Sequence, residues 1–174
     1  MSEWKEYKFF NLDGDLLKSR YGVYVVEIKI KDDVLYYVGQ TGNNGKHLTA
    51  RSPFHRFAAH LNYRSSTDNQ IYKAIMLRYD INSKQGMEEL LRDTKFNVHY
   101  FTTDNFEFLE NENFEHVEKH TSKKEYSKQI EKAIILKMYS LGYILLNNIP
   151  LKSNLEEQHE KFIKDILIKI KLIK

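Results

Sequence analysis

Tyr21-Gly22-Val23-Tyr24-Val25-Val26-Glu27-Ile28-Lys29-Ile30 is followed, after Lys31-Asp32-Asp33, by Val34-Leu35-Tyr36-Tyr37-Val38-Gly39. In the first segment Val26, Ile28 and Ile30 alternate with Glu27 and Lys29, the period of a strand that buries one face. The second segment is rich in β-forming residues, and Lys31-Asp32-Asp33 between them is a turn signal. Together they predict a hairpin. Its tyrosines alone would read as a packed aromatic ladder. Glycine within a strand costs stability, however, and marks a bend or a close approach to the backbone. Gly22 and Gly39 fall at the open end of the hairpin, where they would set Tyr24 and Tyr37 side by side.

Outward from the hairpin, Gln40–Gly45 is a glycine- and asparagine-rich loop. Ser52-Pro53 has the form of an N-cap followed by proline at the first helical position. A short helix to about Leu61 would follow, packing through Phe54, Phe57, Ala58 and Leu61. Residues 69–79 read as a second helix and 95–102 as a third strand, through Phe96, Val98 and Tyr100. Residues 104–122 are polar and irregular. A strong helix is expected from about Lys123 to Tyr143, with Ile130, Ile134, Met138 and Leu141 on its apolar side. Ser153-Asn154-Leu155-Glu156 matches a capping box opening a last helix, with Leu155, Phe162, Ile163, Ile166 and Ile170 inward. A C-terminal strand over Leu167–Lys171 is the alternative there. The fold class is thus mixed α/β: a small, mainly antiparallel three-stranded sheet flanked by helices. One domain is expected over residues 1–174, with a core at about 21–148 and a helical extension at 153–174.

Hydrophobic residues form 41% and charged residues 29% of the 174, a globular balance with no apolar run long enough for a membrane span. Cysteine is absent, which excludes disulfides, thiolate metal sites and cysteine nucleophiles, and suits a reducing cytoplasm. A net charge of +3 is too mild to specify a partner. Its distribution is more informative. Val34–Thr67 contains no acid but holds Lys46, Arg51, Arg56 and Arg64 with His47, His55 and His60, whereas Thr103–Glu118 has six acids and no Lys or Arg. One face attractive to phosphate is the functional reading; ordinary surface variation is the plain one.

Arg56 and His60 are four apart and share a helix face, opposite the apolar stripe. That face is either solvated or a phosphate clamp, since arginine offers phosphate a rigid fork of donors. Glu131 sits beside Ile134, Ile135 and Met138. A carboxylate at the edge of an apolar stripe needs a partner, either an arginine or a divalent cation.

Gly22-Val23-Tyr24, Tyr37-Val38-Gly39, Arg56-x-x-x-His60, a helix bearing Glu131, and then Leu146-Asn147 resemble, in that order, the GIY-YIG nuclease superfamily. The resemblance covers residues 21–61 directly and about 95–148 more loosely. It implies hydrolysis of a DNA phosphodiester with one divalent cation, Mg²⁺ or Mn²⁺, held by Glu131. Arg56 would stabilise the transition state. Tyr37 or Tyr24 would deprotonate the attacking water, Tyr37 being the preferred base. An ordinary tyrosine has a pKa near 10, so this base needs a cation beside it. Lys46 is the candidate for that role and Arg51 the reserve. His60 would accept a proton or bind phosphate. His47, Arg64 and Asn147 complete the implied substrate-binding set, and Asn147 also matches a supporting asparagine of the superfamily.

The long loop before Ser52 and the absence of a separate DNA-reading domain favour a stand-alone restriction-type enzyme acting on double-stranded DNA, as a homodimer if both strands are cut. A phage, mobile-element or repair nuclease is the alternative role. A binding module that has lost catalysis, or an unrelated protein with a tyrosine-rich hairpin, are the readings of other classes. Glu131 lying far from Arg56 and the tyrosines would favour the last of these.

Overall fold

The structure is a computed structural model, and it describes residues 11–42, 50–61, 70–105, 114–153 and 159–173. A 3₁₀ turn at Gly14–Leu17 leads into β1 (Arg20–Ile30) and β2 (Asp33–Gln40). Helices α1 (Pro53–His60), α2 (Gln70–Arg78) and α3 (Lys84–Leu91) follow, then β3 (Lys95–Asn105), α4 (Phe114–Ser140) and α5 (Glu160–Lys169). The sheet is antiparallel throughout, with strand order β2-β1-β3. Among the described residues no helix is long and apolar enough to cross a membrane.

The strand period of two divides the core between two layers. Val23, Val25, Tyr36 and Val38 face α4 and α5, packing on Ile130, Ile134, Met138, Ile163, Ile166 and Leu167. Tyr24, Val26, Ile28, Leu35 and Tyr37 face the other way, onto Ile71 and Ile75 of α2 and Met87 of α3. The hairpin turns through Lys31, whose φ of 52° lies in the left-handed region. Register places Tyr24 opposite Gly39 and Val26 opposite Tyr37. Glycine is required at both motif positions. A Cβ on Gly39 would overlap the Tyr24 ring, and one on Gly22 would overlap the Tyr100 ring and the Phe101 carbonyl.

Three sequence expectations change. Residues 84–91, which carry no element in the sequence reading, form α3, capped where Ser83 Oγ accepts from Gly86 N at 3.0 Å. α4 begins at Phe114 rather than near Lys123. Its first turns bury His116, His120 and Ser127 instead of aliphatic residues, so their periodicity is polar. Tyr21 Oη and His120 Nδ1 are 2.5 Å apart, and Ser127 Oγ and Thr103 Oγ1 are 2.7 Å apart, which satisfies that buried polar stripe. α4 ends at Ser140 because Gly142, with φ of 82°, allows Tyr143 N–H to return to Met138 O at 3.1 Å, a Schellman closure. The chain end to Lys169 is helical, so the alternative C-terminal strand does not form. Asn154-Leu155-Glu156 of the expected capping box lie outside the described residues.

β2 is an edge strand, and the chain after α4 covers it. Tyr36 N–H donates to Ile144 O and Leu146 N–H to Tyr36 O. Asn147 completes the seam with both halves of its amide: Val38 N–H donates to Oδ1 and Nδ2 donates to Val38 O, each at 2.8 Å. Asn147→Ala should therefore cost about 1–3 kcal/mol, the penalty of leaving part-buried backbone groups unpaired. Chemical denaturation checks this; a loss within error of zero would show that water replaces the amide.

Candidate functional site

The hairpin, α1 and α4 converge at the open end of β1 and β2. Ser52 caps α1 by accepting from His55 N, and Pro53 occupies its first turn as the sequence predicts. The facing of α1 differs from expectation. His60 is its most enclosed side chain at 1% exposure, while Phe54 and Ala58 lie on the exposed side. The Arg56–His60 face is turned into the protein rather than out to solvent. Its target is Tyr24: Tyr24 Oη and His60 Nε2 are 2.6 Å apart. The rings of Tyr24 and Tyr37 are 6.4 Å apart between centroids, and His60 lies 4.9 Å from Tyr37 by the same measure. Tyr37 Oη donates to Oε1 of Gln70 at 2.6 Å. Two tyrosines and one histidine thus form a compact cluster walled by α1 and the first residue of α2.

Burial is the largest cause acting on both phenols and raises their pKa well above the usual tyrosine value; Arg56 opposes the rise and Glu131 adds to it. Glu131 lies on α4, which packs on the opposite face of the sheet, yet its charge is felt by both hydroxyls. Loss of water is also the largest influence on Glu131 and pushes its carboxyl up to about 7, with Arg56, Lys128 and Lys132 pulling it down. The residue as a whole is only half-buried, so it is the carboxyl end that is hemmed in. Arg56 and Glu131 feel each other's charge without forming an ion pair. Arg56 Nε is buried with no hydrogen-bond partner. Arg56 Nε and the Glu131 carboxylate, neither with a hydrogen-bond or ion-pair partner among the described residues, are the donor and acceptor types that a phosphate and a cation take.

Tyr24, Tyr37, Arg56, His60 and Glu131 are therefore brought together. Asn147 is adjacent through Val38, and its amide bonds to both backbone groups of Val38, so it supports β2. Arg51 is anchored by its backbone N–H to Thr41 O at 3.0 Å, beside the exit of β2. Lys46, His47 and Arg64 lie outside the described residues. Gln70, Lys128 and Lys132 are site neighbours that the sequence reading misses. The lysines had a signal, three before and one after Glu131 on its helix; Gln70 had none.

Glu131 is suited to a hard cation. It is an oxygen donor, desolvated and without an ion-pair partner among the described residues, and Mg²⁺ commonly takes one or two carboxylates with water and phosphate completing its shell. Among the described residues no three His, Asp or Glu side chains converge, so a closed all-protein cage is not what this site offers. Comparison of the chain with protein-family models, with curated proteins and with solved structures finds no match.

A raised carboxyl pKa means that the folded protein binds this proton more tightly than the unfolded chain. Stability contributed by the neutral form is complete below about 4.5 and is lost as pH rises through about 7. Glu131→Gln should match wild type in stability at low pH and exceed it by on the order of 3 kcal/mol above neutrality. Urea melts across the pH range test this; a difference that does not vary with pH would remove the desolvated-carboxylate account.

Proposed function

We propose that this chain is a metal-dependent endonuclease of the GIY-YIG type that hydrolyses DNA phosphodiester bonds. The observation that carries the reading is the meeting of Tyr24, Tyr37, His60, Arg56 and Glu131, from three separate parts of the chain, around one desolvated carboxylate and one unpartnered arginine nitrogen. A remote Glu131 would have favoured an unrelated fold, and that arrangement is not what is seen.

A divalent ion such as Mg²⁺ or Mn²⁺ held by Glu131 supplies Lewis acidity to the phosphate and to the departing 3′ oxygen. The protein's own groups do the rest. Arg56 donates to a non-bridging phosphate oxygen and stabilises the charge that grows there. Proton transfer falls to Tyr24 with His60. The Tyr37 hydroxyl is committed to an amide oxygen that cannot take a proton onward, whereas Tyr24 faces an imidazole nitrogen that can. Water gives its proton to the Tyr24 oxygen as Tyr24 passes its own to Nε2 of His60. The water oxygen bonds to phosphorus and the P–O3′ bond breaks. No free phenolate need accumulate, which suits hydroxyls whose pKa is raised rather than lowered. Tyr37 orients the cluster, and a loop cation such as Lys46 is not required by this route. The role we propose is a restriction-type one on double-stranded DNA, with a homodimer cutting both strands.

Purified protein incubated with mixed plasmid DNA and Mg²⁺ should cut it, with discrete ends on sequencing if the role is restriction. Glu131→Gln should abolish cleavage, and Arg56→Ala should lower the rate about 10²-fold or more, with duplex binding less affected. Intact plasmid under all metal conditions would leave the binding-module reading in its place. Phe at Tyr24 should be more damaging than Phe at Tyr37; the reverse order would return the base to Tyr37.

A further inference from the structure

Lys124, Lys128 and Lys132 stand four apart along α4, one above another on a single face at steps of about 6 Å. The row begins where the Lys124 stem lies against Gly42, immediately past the end of β2. It continues past Glu131, which follows Lys128 by three residues and precedes Lys132 by one on the same helix. Arg51 is tied to Thr41 next to Gly42, and Arg56 acts on Glu131 from α1. Two basic stretches far apart in sequence thus meet around one carboxylate.

The row is only partly balanced by its own helix, where Lys128 and Lys132 act on Glu125. Like charges four apart on a helix repel by a few tenths of a kcal/mol per pair. Lys128 has an ion pair with Glu125 at 3.6 Å, but both side chains are 48% exposed, so that pair is weak and readily exchanged. Nor does the row contribute to the apolar layer, which α4 builds from Ile130, Ile134, Ile135 and Met138. A row of cations that starts at Gly42 and passes Glu131 is the pattern of a polyanion track.

We propose that Lys124, Lys128 and Lys132 hold successive backbone phosphates of a DNA duplex and lead the strand to Arg56 and Glu131. The proposal rests on the nuclease reading of the same site. The lysines of α5 serve as the comparison: Lys161 and Lys164 line a groove of about 780 Å³ between α4 and α5, with Lys137, Leu141 and Ile163, away from the tyrosine cluster.

The test is binding of a fluorescein-labelled DNA duplex by metal-free protein, followed by anisotropy across a salt series. Each phosphate neutralised contributes about 0.9 to the slope of log affinity against log salt. Replacing the three lysines of the row with Gln should lower the magnitude of the slope by about 2.7, whereas Lys161→Gln with Lys164→Gln should leave it unchanged. If the triple variant melts early, the single Lys→Gln changes carry the test, each with a reduction of about 0.9. An unchanged slope in the row variants, an equal loss in the α5 pair, or no duplex binding by wild type would overturn the track. Cleavage with Mg²⁺ is scored separately. Binding with the expected slope but no cleavage removes the nuclease reading and leaves the track, and cleavage with an unchanged slope does the opposite.

Discussion

A tyrosine hydroxyl enclosed at 1% exposure has to find a partner inside the protein, because leaving it unpaired costs about 1–3 kcal/mol. Tyr24 is in that position, and His60 Nε2 is what it finds. α1 has eight residues, too few to hold a helix in water by itself. Its stability and its orientation therefore come from docking, and the Tyr24–His60 contact fixes which face docks. Once His60 points inward, Arg56 one turn earlier is carried to the same place. Gly39 permits this, because the Tyr24 ring occupies the space a Cβ would take.

Electrostatics then couples the members of the cluster. Desolvation raises the tyrosines and Glu131 alike, and the Glu131 charge raises both tyrosines further. Arg56, Lys128 and Lys132 offset part of that cost without closing it. A fold seeking stability alone would pair Glu131 directly with an arginine or replace it with an apolar residue. The retained imbalance is what the proposed binding of a metal-bound phosphodiester would offset.

The two sides of the sheet divide the work. The layer of Val23, Val25, Tyr36 and Val38 against α4 and α5 is aliphatic and fixes the position of the helix that bears Glu131. The layer of Tyr24 and Tyr37 against α1, α2 and α3 supplies the hydroxyls and the guanidinium. Asn147, clamped on Val38, holds the edge strand that joins them.

Local periodicity made the hairpin, the Ser52-Pro53 helix start, β3 and the aliphatic half of α4 readable, since each follows from residues that are neighbours in sequence. α3 escaped because Met87 is its one buried residue, too little to make a stripe. The first turns of α4 escaped because their buried positions are His116, His120 and Ser127, whose burial is tolerable only through Tyr21 and Thr103 in the sheet. The sequence determined which chemical groups exist and which share an element: Tyr24 with Gly22, Arg56 with His60, Glu131 with its flanking lysines. Only the tertiary structure decided that His60 faces in, that Asn147 clamps Val38, and that Lys124 of α4 lies against Gly42. Those outcomes depend on burial and on partners contributed by distant segments, and neither is encoded in the spacing of any single stretch.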